Sequence, residues 1–65
     1  MITVNGNQSE WEEGLTVKKL LKRENYPFRM ISVWINDRPV EKKDYPSRLV
    51  PDGAKVQVIH NISGG

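Results

Sequence analysis

The sequence contains no cysteine and only one histidine, His60. Without cysteine the chain can form no disulfide, no cysteine-based metal site and no thiol nucleophile. A lone histidine has no partner at a spacing typical of a metal site or a catalytic triad. We therefore interpret His60 as a surface residue near the end of a strand, and predict neither a catalytic residue nor a metal site.

Long hydrophobic runs are missing as well. No apolar stretch approaches the length of a membrane span, and the N-terminus lacks the basic and apolar regions of a signal peptide. The net charge of +2 is mild, whereas nucleic-acid-binding domains usually carry a denser basic patch. We expect a soluble, cytoplasmic protein that binds neither membranes nor nucleic acid.

The chain is also too short for a deep catalytic cleft beside an apolar core, since its 65 residues lie near the lower limit for one such core. The carboxylates are scattered, with no spacing that favours acid–base catalysis. No glycine-rich phosphate-binding loop precedes a helix. These absences predict a single domain, residues 1–65, that binds or carries something and is not an enzyme.

What the sequence does contain is clear hydrophobic periodicity. The alternation of Ile2 and Val4, ending at Asn5 and Gly6, predicts a β-hairpin whose second strand spans residues 8–12. A long alternating run at 30–36 and another at 54–61 predict two further strands. The polar segment 41–49 between them has no regular period, and its proline argues against a central strand.

One helix is predicted after the hairpin, because Val17, Leu20 and Leu21 fall on one helical face. Thr16 is the expected N-cap, and Asn25 and Pro27 mark the end of the helix. Four basic residues lie away from the apolar face: Lys18, Lys19, Lys22 and Arg23. A solvated helical surface is the favoured interpretation of these four, and docking of an acidic partner is the alternative.

Packed together, these elements predict an α+β fold of two layers with one helix across one face of a sheet. The expected core consists of the apolar residues that face the helix: Ile2, Val4, Val17, Leu20, Leu21, Val33, Ile35, Val56 and Val58. By strand parity, Met30, Trp34 and Ile59 lie on the other face. Either that face is a protein-docking surface, or the polar segment 41–49 folds over it.

The chain ends in Ile62, Ser63, Gly64 and Gly65. Two glycines let a backbone run extended through a narrow channel, and a final glycine removes hindrance around the terminal carboxyl carbon. Such a carboxylate becomes a good acyl donor once it is joined to AMP. The alternative is a tail of small residues without a role.

Several short motifs together resemble a known family. They are M-I-T-V-N-G at the start, T-V-x-x-L-L at 16–21, W-I-N at 34–36 followed by Val40, the Asp52-Gly53 turn and the final I-S-G-G. In this order and at this length they resemble ubiquitin-like β-grasp proteins, most closely the ThiS-type sulfur carriers of thiamine biosynthesis. The resemblance implies a β-grasp fold, with a mixed sheet of four or five strands and one main helix.

The resemblance also implies a chemistry and its partners. An E1-like, ThiF-type enzyme would use ATP to adenylate the Gly65 carboxylate, and sulfur from a cysteine desulfurase or another persulfide donor would convert it to a thiocarboxylate. A ThiG-type thiazole synthase would then receive the sulfur.

The chain itself would bind no cofactor. Its tail, Ser63, Gly64 and Gly65, would enter the partners' active sites, while Trp34, Ile59 and Ile62 would dock against them. A carrier for molybdopterin or another sulfur acceptor, and a plain protein-binding module, remain the alternatives.

Overall fold

A computed structural model describes residues 1–26 and 30–60. Over these residues the chain forms five strands, one α-helix and one short 3₁₀ helix. In chain order they are β1 (Ile2–Val4), β2 (Asn7–Ser9), α1 (Val17–Arg23), β3 (Ile31–Ile35), β4 (Arg38–Val40), the 3₁₀ helix (Lys42–Asp44) and β5 (Lys55–His60).

The five strands form one mixed sheet in the order β2-β1-β5-β3-β4. β5 lies in the centre, parallel to β1 and antiparallel to β3, and the two hairpins β1–β2 and β3–β4 occupy the edges. The α+β prediction and the mixed sheet with one main helix are confirmed. The central position of β5 means that the last described strand is held on both sides.

The first hairpin forms as predicted, because Asn5 and Gly6 both have positive φ, 51° and 84°. Two such residues make the turn type that matches the twist of paired strands. The second strand is shorter than predicted, Asn7–Ser9 instead of 8–12. Beyond it, Trp11 packs against the core edge, where its indole Nε1 donates to the Val50 carbonyl at 2.6 Å.

The helix begins where the sequence predicts, since the Thr16 hydroxyl accepts a hydrogen bond from the Lys19 N–H at 3.2 Å. It ends at Arg23. Asn25 follows with φ 62°, and the N–H of Tyr26 donates to the Leu21 carbonyl at 2.9 Å. This closure satisfies a carbonyl of the last turn and fixes the position of Tyr26. Pro27, the predicted stop, lies outside the described residues.

All nine predicted core residues are buried between the helix and the sheet. Six further residues complete the core: Leu15, Ile31, Val40, Tyr45, Val50 and Ala54. Two of them, Tyr45 and Val50, come from the irregular segment 41–50, which hydrogen-bonds to the start of the helix. There the Lys18 N–H donates to the Tyr45 carbonyl, and the Val50 N–H donates to the Leu15 carbonyl.

The bounds of the two long strands are narrower than predicted. β3 begins at Ile31 and not at Met30, and it ends before Asn36, because Met30 and Asn36 have φ values of 56° and 50°. Extended strands do not accommodate positive φ. β5 begins one residue after Ala54, and its predicted last residue, Asn61, lies outside the described residues.

Candidate functional site

The sheet face opposite the helix carries Trp34 and Ile59, as strand parity predicts. In the β3–β5 register Trp34 pairs with Gln57, and Ser32 pairs with Ile59. Trp34 and Ile59 are therefore diagonal neighbours, a separation within reach of an aromatic side chain. Trp34 is half-buried, and Ile59 is 48% exposed.

The irregular segment 41–50 does not cover this pair. Its backbone hydrogen-bonds to residues 15–18 at the start of the helix, and its apolar side chains Tyr45 and Val50 are part of the core. The alternative in which this segment folds over Trp34 and Ile59 is therefore wrong. We call the surface formed by Trp34, Ile59 and their strand neighbours the open face.

Polar and charged residues surround the apolar pair on the open face. Thr3 on β1 pairs with Lys55 on β5 at the same parity as Ile59, and the Lys55 ammonium lies 2.9 Å from an Asp37 carboxylate oxygen. Met30 does not join the face by parity, because its positive φ interrupts the strand alternation. The open face thus has a small apolar centre, Trp34 and Ile59, with polar residues beside it on β1 and β5.

His60 is the last residue of β5 and the last residue that the structure describes. The His60 side chain is exposed, and its ring centroid lies 5.9 Å from that of Tyr26, with the rings tilted by 51°. The residues predicted to act beyond this point are Ile62, Ser63, Gly64 and Gly65. All four lie outside the described residues.

Asn5, which the sequence identifies only as a turn residue, makes side-chain contacts at this end of β5. Its Oδ1 accepts from the Val58 N–H at 2.8 Å, and its Nδ2 donates both to the Val58 carbonyl and to the Tyr26 hydroxyl, each at 3.1 Å. The only sequence signal for this role is the Asn-Gly pair, which predicts the turn and not the side-chain contacts.

The basic residues of the helix do not form one uniform surface. Lys18, Lys19 and Lys22 are exposed. Arg23, in contrast, contacts the end of β2. One nitrogen of its guanidinium, Nη2, donates to the Ser9 hydroxyl at 2.9 Å and to the Glu10 carbonyl at 2.6 Å. Arg23 therefore fastens the end of β2 to the helix, while the three lysines remain a solvated surface.

Within residues 1–26 and 30–60, no three histidine, aspartate or glutamate side chains group in a way that could hold a metal ion. Neither helix in these ranges is long and apolar enough to cross a membrane.

A mixed five-stranded sheet that grasps a single helix defines a β-grasp protein of the ubiquitin-like class. The model of the ThiS family matches residues 2–65, so the chain belongs to the ThiS family.

A solved structure agrees with the family match. The thiamine biosynthesis protein ThiS from Geobacter metallireducens superposes with a TM-score of 0.81 at 27% sequence identity, covering 98% of this chain and 97% of that one. Comparison with curated proteins finds no match. The family is that of the small sulfur carriers of thiamine biosynthesis.

Proposed function

We propose that this protein carries sulfur as a thiocarboxylate on the Gly65 carboxyl group and delivers it to thiazole formation in thiamine biosynthesis. The family match carries this proposal, because it extends over residues 2–65 and so includes the terminal Ser63, Gly64 and Gly65. The protein acts as a co-substrate of other enzymes and not as a catalyst.

The first chemical step activates the carboxylate. An E1-like, ThiF-type enzyme holds ATP, and a Gly65 carboxylate oxygen attacks the α-phosphorus, which releases pyrophosphate and leaves an acyl adenylate. Glycine at the reacting position leaves the acyl carbon unhindered, and Gly64 lets the tail lie extended in a narrow channel.

The second step installs sulfur. The terminal sulfur of a persulfide, supplied by a cysteine desulfurase or a similar donor, attacks the acyl carbon and displaces AMP. A second thiol then cleaves the S–S bond, which gives the thiocarboxylate and a disulfide of the two thiols. A ThiG-type thiazole synthase accepts the sulfur. The cytoplasm suits this series of reactions, because thiols stay reduced there.

The open face serves as the docking surface for these enzymes in this proposal. Ile59 lies one residue before His60 on the strand that leads to the tail, so a partner bound to Trp34 and Ile59 is next to the tail's origin. Ile62, which lies outside the described residues, is the third residue proposed to contact these enzymes. Burial of an exposed isoleucine and part of a tryptophan would stabilise such a complex through the hydrophobic effect.

The proposal is tested by pyrophosphate release from ATP in a mixture of the E1-like enzyme and this protein as its carrier substrate. We expect release with the full chain, and none after deletion of Gly64 and Gly65 or after addition of one alanine beyond Gly65, because each change misplaces or removes the reacting carboxylate. Circular dichroism should show that both variants stay folded. Undiminished release with either variant would contradict the proposed site.

A further inference from the structure

Val58 lies on β5 beyond the point where the neighbouring strand β1 ends. The parallel pairing of β1 with β5 stops at Val4 opposite Val56, and the Asn5 N–H makes the last backbone bond, to the Val56 carbonyl at 2.9 Å. Two residues further along β5, the N–H and carbonyl of Val58 face the same side, because these groups alternate along a strand. They have no backbone partner on β1.

The Asn5 carboxamide takes the place of the missing strand residue. It accepts from the Val58 N–H and donates to the Val58 carbonyl, at 2.8 and 3.1 Å, so one side chain reproduces both bonds of a strand pair. Because Asn5 has a positive φ, its main chain turns away into the hairpin. Its side chain meanwhile occupies the position beside Val58 that a further residue of β1 would take.

The same carboxamide also connects β5 to the end of the helix. Its Nδ2 donates to the Tyr26 hydroxyl at 3.1 Å, and the Tyr26 ring lies against the His60 ring. Tyr26 is itself fixed by its backbone bond to Leu21 at the helix end. On the opposite edge of β5, Ile31 of β3 pairs with His60. The last described residues of β5 are thus held from both sides.

We infer that Asn5, backed by Tyr26, is a positioning residue for the reaction of the C-terminal tail. Gly65 lies five positions after His60 in the sequence, and the contacts of Asn5 fix the backbone of β5 two residues before His60. This inference rests on the proposed function. The side-chain bonds of Asn5 go to the Val58 backbone and to the Tyr26 hydroxyl, and not to the docking side chains of Trp34 and Ile59, so its contribution falls on delivery of the tail after docking and not on docking itself.

Asn36 offers a control, because its side chain also accepts a hydrogen bond from a backbone N–H of β5, at the other end of that strand. It follows the end of β3, has φ 50°, and its Oδ1 accepts from the Lys55 N–H at 2.9 Å while its own N–H donates to the Lys55 carbonyl at 2.8 Å. Lys55 and His60 are separated by roughly 16 Å along an extended strand. A purely structural role would leave the kcat of both variants near the wild-type value as long as both stay folded.

The experiment compares Asn5→Gly with Asn36→Gly, since glycine accepts positive φ and each change removes only the side-chain contacts. Steady-state pyrophosphate release with the E1-like enzyme, a persulfide donor and a thiol reductant, which let the acyl adenylate turn over, gives kcat and KM for each variant. We expect kcat to fall by about tenfold for Asn5→Gly, with KM unchanged, and both constants to stay within about twofold of wild type for Asn36→Gly. Amide hydrogen exchange should accelerate at Val58 only in Asn5→Gly.

Equal kcat values for the two variants, or a change in KM alone for Asn5→Gly, would overturn the positioning role. If Asn5→Gly is unfolded at the assay temperature, Asn5→Asp replaces it, because aspartate tolerates positive φ and keeps the bond to the Val58 N–H but loses both donors. A smaller fall in kcat at unchanged KM is then expected, and a wild-type kcat would overturn the role.

The proposed function and the positioning role fail in different ways. Absence of pyrophosphate release with the wild-type chain, from an enzyme active on a control carrier, would contradict the proposed function. Normal wild-type release with a normal Asn5→Gly kcat would contradict only the role of Asn5.

Discussion

The two faces of the sheet are built from the same strands but differ in what they contact. On β5, Val56 and Val58 are buried under the helix, while Ile59 on the opposite face is 48% exposed. On β3, Val33 and Ile35 are buried, whereas Trp34 between them is half-buried. One strand therefore supplies both the core of the domain and the surface proposed to bind its partners.

Alternate residues of one strand are therefore expected to serve different purposes: those on one face contribute to stability, and those on the other face to the proposed docking. A side chain on the helix-covered face contributes to the free energy of unfolding, since its removal leaves a cavity. An exposed side chain on the open face can change with little loss of folding free energy, and under the proposed function its effect falls on association with a partner. Substitutions on the two faces should therefore have effects of different kinds.

The largest expected effect comes from the covered face. Leu20 is fully buried, and Leu20→Ala should lower the free energy of unfolding by about 2–5 kcal/mol, a large part of the total for so small a domain. Urea unfolding followed by circular dichroism measures this change. A loss below about 1 kcal/mol would show that the helix does not pack as tightly as its burial indicates.

A smaller effect of another kind is expected on the open face. Ile59→Ser should leave the free energy of unfolding within about 1 kcal/mol and raise KM for the E1-like enzyme about tenfold, as loss of one apolar interface contact does. Leu49→Ser is the matched control. Leu49 is 58% exposed but pairs with Thr16 beside the helix, so its substitution should leave KM unchanged. A rise in KM for both variants would remove the distinction between the faces.

The smallest expected effect is on the pH dependence of stability, and it comes from the phenol of Tyr45, which is buried in the core. Burial raises the pKa of the Tyr45 phenol above its ordinary value of 10.0, so the unfolded chain loses this proton at lower pH than the folded one. The resulting stabilisation is complete below about pH 10 and is lost as the pH rises through the folded pKa. Tyr45→Phe removes this contribution.

The free energy of unfolding should accordingly fall less steeply for Tyr45→Phe than for wild type as the pH rises above about 10. Denaturant titrations at several pH values measure both curves. Parallel curves for the two proteins would show that the phenol titrates normally in the folded state.

Hydrophobic periodicity was sufficient to predict the covered face. Alternation in β1, β3 and β5 and the spacing of Leu20 and Leu21 identify side chains that all prove to be buried. The same parity identifies Trp34 and Ile59 as residues of the opposite face. The assignment of their face follows from the strand period of two, and needs no knowledge of tertiary contacts.

Contacts without a period could not be predicted in this way. Tyr45 and Val50 enter the core from an irregular segment, and their burial depends on backbone hydrogen bonds to the helix start. The Asn5-Gly6 pair predicts a turn, but the bonds of Asn5 to Val58 join residues 53 positions apart and depend on the parallel pairing of β1 with β5. Arg23 shows the same limit, because its helical position indicates exposure and not its contact with Ser9.

The most direct test of the account is the intact mass of the protein after incubation with ATP, the E1-like enzyme of the thiamine pathway, a persulfide donor and a thiol reductant. The account predicts a mass gain equal to the replacement of one oxygen by sulfur, and fragmentation should map it to Gly65. An unchanged mass, with the enzyme shown to be active on a control carrier, would contradict the proposal that this chain carries sulfur for that pathway.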